Sequence, residues 1–176
     1  MNAPAPFTTN GAYILGQTPG EHAVAAAADA ADAALALARQ ASLTLRIFTR
    51  DLDRRLYSTA EFREALSRFA RRGRRTEVRI LVQDPTPAIR ADHRLIGLAQ
   101  QLPTHIGVRR VGRDWQDEVS AFLLADEQGL LWRPYGDRFE GTVRFLAGPR
   151  GRELRKWFDE VWEQSTPDPE FRRLGI

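Results

Sequence analysis

The stretch Val119-Ser-Ala-Phe-Leu-Leu-Ala-Asp126 decides how the rest of the chain is read. It is an apolar run that ends in an acid and a turn, the pattern of a buried strand. Asp126-Glu-Gln-Gly129 follows as a turn with glycine in the last place, and Leu130–Arg133 resumes the apolar character. Val119–Ala125 and Leu130–Arg133 therefore read as the two arms of a β-hairpin. Asp126 suits the turn because its short side chain bonds to nearby backbone amides.

Upstream of the hairpin, helices and strands alternate. Glu21–Gln40 is dominated by alanine, the best helix former, so one long helix is expected there. Leu35 and Leu37 add little bulk, which points to close packing against a sheet or another helix and away from a coiled-coil seam. Leu43–Phe48 alternates apolar and polar residues as a strand does, and Thr49–Asp53 is a polar loop. Ser58-Thr-Ala-Glu61 has the spacing of a capping box, with Phe62, Leu66 and Phe69 on one helical face behind it and Gly73 as a stop. Thr76–Val82 is the next strand, closed by Gln83-Asp84-Pro85. Thr86-Pro87 opens a helix with Leu95, Leu98 and Leu102 inward. Ile106–Val111 is a third strand, ending in the polar bend Gly112-Arg113-Asp114.

Downstream, Thr142–Leu146 is a short strand. Gly148-Pro149 starts a last helix that keeps Leu154, Trp157, Phe158, Val161 and Trp162 at helical spacing. Alternation followed by hairpin strands predicts an α/β fold, a mixed sheet with helices on both faces. Residues 1–20, with Pro4, Pro6, Gly11, Gly16, Pro19 and Gly20, read as a flexible arm in which Ala12–Leu15 is placed to pair as an edge strand. Residues 21–166 form one domain and 167–176 a surface tail.

Composition narrows the classes further. A chain of 176 residues, 43% apolar and 28% charged, suits one soluble globular domain. No apolar run approaches the ~20 residues that span a bilayer. Met1–Pro6 has neither a basic nor an apolar leader segment, so a cytoplasmic location is expected. The absence of cysteine removes disulfides, thiol catalysis and thiolate metal sites together. Net charge is +3, yet arginine supplies 25 of the 26 basic residues and Lys156 is the single lysine. Arginine favours two-pronged binding of phosphate and carboxylate, although GC-rich coding produces the same bias with no partner at all.

In this order of elements, with its Leu-Leu-Ala-Asp-x-x-Gly turn, the chain resembles one repeat of the phospholipase D superfamily from about Ala23 to Gln164. In that family the corresponding strand carries His-x-Lys-x4-Asp. Counting back from Asp126, Val119 stands where the nucleophilic histidine would be and Ala121 where the lysine would be. Phe48-Thr-Arg-Asp-Leu-Asp53, Arg79–Val82, Asp92-His-Arg-Leu95 and Phe158-x-x-x-Trp162 also resemble a group of bacterial domains described as phospholipase D-like, some of them fused to acyltransferases.

The resemblance implies a fold retained and a nucleophile lost, since valine cannot attack phosphorus and alanine cannot neutralise a phosphoryl oxygen. It implies a non-enzymatic module that binds an anionic ligand or a protein partner, with no cofactor. Active members unite two motifs, so it also implies a homodimer. An acyltransferase partner follows by analogy alone.

One polar cluster remains. His93, near the start of a helix after the second strand, would meet Arg50, Asp51, Asp53 and Asp84 at the carboxyl ends of the strands, where open α/β sheets bind ligands. The candidate ligand set is His93, Arg94, Arg50, Asp51 and Asp84, with arginines as donors and an aspartate orienting the histidine. Helix capping and mutual ion pairing at a polar sheet edge would use the same residues. The cluster also carries the alternative function, a phosphodiesterase- or hydrolase-type enzyme with its chemistry relocated to His93.

His22 and His105 are expected at the surface, and no two histidines have zinc-ligand spacing. There is no Gly-x-Ser-x-Gly elbow and no phosphate-cradling glycine loop. Arg71-Arg72-Gly73-Arg74-Arg75 is placed to touch lipid or nucleic acid phosphates, yet it sits at a helix C-terminus, where cations offset the helix dipole, and no aromatic residues interleave with it. Nucleic acid and membrane surfaces therefore rank behind a small anion or a protein. Trp157 and Trp162 are expected as core anchors, and Trp115 as a cover for a pocket or an interface.

Overall fold

A computed structural model describes residues 7–9 and 11–172, and the apolar runs gather into one eight-stranded mixed sheet. Its parallel part is β2 (Thr44–Thr49), β3 (Glu77–Val82) and β4 (Ile106–Arg110). β5 (Ala121–Ala125) runs antiparallel to β2, with Leu45 opposite Ala125 and Phe48 opposite Phe122. It turns into β6 (Gly129–Arg133), and β7 (Gly141–Arg144) and β1 (His22–Val24) extend the sheet on that side. β8 (Thr166–Pro167) pairs with the end of β4 on the other. The order is β1-β7-β6-β5-β2-β3-β4-β8, an α/β fold with helices on both faces of a mixed sheet.

Strand alternation divides the interior in two. One face of β2 and β5 sends Leu45, Ile47 and Leu123 under α1 (Ala27–Gln40), α2 (Arg54–Tyr57), α3 (Ala60–Arg71) and α5 (Arg94–Gln101). The other face sends Phe48, Phe122 and Leu124 under Leu154, Phe158, Val161 and Trp162 of α6 (Pro149–Glu163). The small side chains of α1 let it lie close on the sheet: Ala30, Ala33 and Ala34 are fully buried, and a Cβ on Gly129 of β6 would lie 2.5 Å from Leu37 Cδ2.

Several elements differ from their expected bounds. The alanine helix starts at Ala27, because the Asp29 carboxylate accepts the amides of Ala25 and Ala26 and closes the first turn there. His22–Val24 is therefore a strand, and His22 is half-buried against the Tyr13 ring. Ala12–Leu15 does not pair as a strand. Gln40 replaces the ladder, its side chain accepting from Leu15 N at 2.8 Å and donating to Tyr13 O at 2.9 Å.

The expected capping box does not form: Thr59, not Ser58, caps α3 by accepting from Phe62 N, which leaves Glu61 at the second helical position, while Ser58 Oγ accepts from Arg94 N. The helix opened by Thr86-Pro87 breaks into α4 (Thr86–Arg90) and α5, with Asp92 between them at φ +50°. Within the expected arm, Phe7 is buried against Tyr13 and Phe145; within the expected tail, Phe171 is buried beside α5. Pro4, Pro6 and residues 173–176 lie outside the described residues. Among the described residues no helix is long and apolar enough to cross a membrane.

One charge sits inside the second core. Arg46 of β2 is buried and grips Asp159 of α6 with two hydrogen bonds, Nε to Oδ1 at 3.0 Å and Nη2 to Oδ2 at 3.3 Å. Arg79 and Arg155 approach the same carboxylate at 3.6 and 3.9 Å. Removing Asp159 strands a buried cation, so Asp159→Ala is expected to lower the unfolding free energy by about 3 kcal/mol, the low end for a broken buried pair because Asp159 is 32% exposed. Urea denaturation should show the fall in midpoint with an unchanged slope.

Candidate functional site

The carboxyl ends of β2 and β3 open into a cleft of about 390 Å³. Arg50 follows β2, Gln83 and Asp84 follow β3, and Gln116, Asp117, Glu118 and Val119 lead into β5; Tyr135 and Asp137 complete the rim from the β6–β7 loop. The Gln83 amide nitrogen holds the approach to β5, lying 2.7 Å from Glu118 O and 3.1 Å from both Trp115 O and Gln116 O. Asp84 accepts from Thr86 N, and Glu118 accepts from both the amide and the hydroxyl of Ser120. Arg50 lies 3.9 Å from Asp137, both largely exposed. Four carboxylates thus face one arginine, and the cleft carries negative charge.

The three positions aligned with the superfamily signature have separate fates. Val119 precedes β5 and is 63% exposed. Ala121 is fully buried, directly opposite Arg133 of β6. The Asp126 carboxylate accepts four hydrogen bonds: from Ser42 N (2.7 Å) and Ser42 Oγ (3.0 Å) at Oδ2, and from Leu43 N and Thr44 N (both 2.8 Å) at Oδ1.

The expected five-residue ligand set does not assemble. Arg50 and Asp84 line the cleft, whereas His93 and Arg94 are absent from its lining. His93 is 1% exposed and caps α5: Nδ1 accepts from Leu95 N at 3.1 Å, and Nε2 donates to Leu52 O at 2.9 Å. With both nitrogens engaged, the ring has no lone pair for base or nucleophile work. Burial depresses its pKa to about 4, against the opposing pull of the Leu52 carbonyl. Arg94 is spent on Ser58, donating to its carbonyl at 2.6 Å.

Asp51 is half-buried within the field of Arg133; burial first, then Asp53, raises its pKa. His105 is half-buried, with Nδ1 2.9 Å from Thr76 O, and is not at the surface. Trp115 is half-buried, and its backbone carbonyl serves the Gln83 strap. Among the described residues no group of histidines and carboxylates could hold a metal ion.

Sequence reading missed Arg133 and Tyr57, two fully buried polar side chains on the α2 face of the sheet. The available signal was an arginine closing an otherwise apolar strand.

Solved structures share this fold, two of them as follows. NucT from Helicobacter pylori superposes with a TM-score of 0.57 at 10% identity, over 86% of this chain and 100% of NucT. TrmBL2, described as an archaeal chromatin protein with a novel mode of DNA binding, gives 0.61 at 14% identity over 84% of this chain. The chain spans only 54% of the length of TrmBL2. At these identities the likeness is one of fold, an α/β domain with helices on both faces of a mixed sheet. The chain belongs to the family described as "Domain of unknown function (DUF7931)", whose model matches residues 26–174. No curated protein matches the sequence.

Two measurements check these assignments. Unfolded histidine takes its proton near 6.5, whereas folded His93 holds out to about 4. The unfolded state therefore binds more protons in that window, and stability should fall as pH drops from about 6.5 to 4. His93→Asn keeps a capping side chain and should flatten that part of the pH–stability curve. Asp126→Ala frees three backbone amides, mostly near solvent, and should cost about 1–2 kcal/mol by denaturant titration.

Proposed function

We propose that this protein is a phospholipase D-like binding module that keeps the fold without the hydrolytic chemistry, and that its cleft receives a basic segment of a protein partner. The observation that carries this reading is the state of the signature positions: an exposed valine, a buried alanine, and an aspartate whose carboxylate is fully used in holding a turn. The alternative that relocates catalysis to His93 lacks support in the geometry, because both ring nitrogens are bonded inside the fold. Four carboxylates around Arg50 favour a ligand that brings positive charge over a free anion in this cleft.

TrmBL2's description mentions DNA, but the likeness reaches the fold only. The exposed arginine run at 71–75 lies at the amino end of β3, the opposite edge of the sheet from the cleft. A homodimer and an acyltransferase partner remain part of this proposal, the first by the family's pairing of repeats and the second by domain fusion.

Purified protein should hydrolyse bis(p-nitrophenyl) phosphate no faster than a Val119→Ala control; turnover lost on mutating the cleft would sink the reading. A lysine-rich peptide should raise the melting temperature of wild type and leave an Asp84→Lys/Asp137→Lys variant unmoved.

Rebuilding the signature should fail for a physical reason. Val119→His, at a 63% exposed site, should change stability by less than about 0.5 kcal/mol. Ala121→Lys would bury a second cation opposite Arg133 and should cost about 3 kcal/mol or more. Sedimentation at tens of micromolar tests the dimer, and a monomer there removes it.

A further inference from the structure

A second cavity, of about 310 Å³, opens on the α6 face of the sheet beside the acidic cleft, and Glu118 lines both. Three aromatic rings line it. Phe122 of β5 lies buried at its base. Trp132, the cross-strand partner of Phe122 on β6, is 6.1 Å from it at an interplanar angle of 21°. Trp157 of α6 is 6.0 Å from Phe122 at 57°, and is held edge-on against Phe48 at 5.0 Å. Both tryptophans are half-buried, so part of each indole is left open to the cavity. Indole faces attract cations, and one already does so here: the Arg150 guanidinium stands 4.8 Å over the Trp132 ring.

Glu118 brings a preset negative charge to the same space. Its backbone carbonyl accepts from the Gln83 side chain at 2.7 Å, and its Oε1 accepts from Ser120 N at 3.0 Å and Ser120 Oγ at 2.7 Å. Among the described residues Oε2 accepts nothing and Glu118 forms no ion pair. Glu153, also on the rim, is paired with Arg150 at 3.7 Å. The charge of Glu118 is therefore the one left over.

We propose that this pocket takes the ammonium group of one lysine side chain, supplied by the basic segment that the cleft receives. The indoles cover the alkyl stem and face the cation, and Glu118 Oε2 accepts one of its N–H groups. A single free oxygen suits the point charge of lysine better than the fork of arginine, which pairs with both oxygens of a carboxylate. A quaternary ammonium would meet the rings but has no N–H for Glu118. This inference rests on the protein-partner reading of the cleft, yet the two fail separately.

The test uses the four indole N–H signals in ¹H–¹⁵N spectra of the full chain, with two of them assigned through Trp132→Phe and Trp157→Phe. Nα-acetyl-lysine methylamide should move the Trp132 and Trp157 signals along one saturable curve, and the norleucine analogue should leave them still. Absence of that curve, or an equal response to norleucine, overturns the site. Trimethyllysine and arginine analogues should bind more weakly than lysine, and tighter binding of either overturns the choice of lysine.

Glu118→Gln keeps an oxygen for the two Ser120 bonds and should weaken the lysine probe about tenfold. Arg150→Ala removes a competing, largely exposed cation and should tighten it. Unchanged affinity in both variants overturns the proposal. If the lysine-rich peptide stabilises wild type but not Asp84→Lys/Asp137→Lys, while the indole signals stay still, the cleft reading stands and this site falls. Saturable indole shifts beside a peptide that fails to stabilise the protein keep the pocket and remove the cleft.

Discussion

The antiparallel seam between β2 and β5 is the contact on which the rest of the fold depends. On one side of it β3 and β4 continue parallel to β2 and need helical crossovers; on the other β5, β6 and β7 follow one another antiparallel through loops. Asp126 fixes the seam by holding the amides of Ser42, Leu43 and Thr44, at the start of β2, against the end of β5. That clamp sets Leu45 opposite Ala125 and Phe48 opposite Phe122. A slip of one residue would send Leu45 and Ile47 to the α6 face and Phe48 to the α1 face, exchanging the two cores. The turn that presents Asp126 places it and Glu127 at φ +52° and +60°, a cost the four hydrogen bonds and the hairpin ladder offset.

Strands with long apolar runs were legible in the sequence because their side chains alone define both faces. Ala121–Ala125 and Glu77–Val82 needed no knowledge of their neighbours. β1 was not legible: His22–Val24 pairs with β7 across more than a hundred residues, and locally it looks like the start of an alanine helix. The break between α4 and α5 escaped for a related reason. Asp92 takes a left-handed conformation and His93 turns its ring inward to cap the next helix, both stabilised by the Leu52 and Leu95 contacts that sequence does not display.

The candidate site was legible in part, and the missing part has one cause. Strand ends place residues at the correct edge of the sheet, so Arg50 and Asp84 do reach the cleft. Whether a side chain faces solvent or turns back is decided by partners distant in sequence. Ser58 captures Arg94 and the Leu52 carbonyl captures His93, so a histidine between an aspartate and an arginine, which reads as chemistry, is an N-cap. Arg133 is the converse case. It closes a β-strand, reads as a solvent-facing end, and is buried because β7 and the 134–140 loop fold over it.

Charge on this face of the sheet is consequently held by one strand instead of two. Ala121 and Arg133 are cross-strand partners, and their side chains point the same way. A cation at both positions would place like charges side by side in a fully buried layer, a far larger penalty than the same pair pays in water. With alanine on β5, the long arginine on β6 has room to lie across its neighbour and reach the carbonyls of Gly136 and Arg138. Those carbonyls belong to the loop that supplies Tyr135 and Asp137 to the cleft. The loop is therefore shaped from beneath by a buried cation while its outer side chains face an acidic opening.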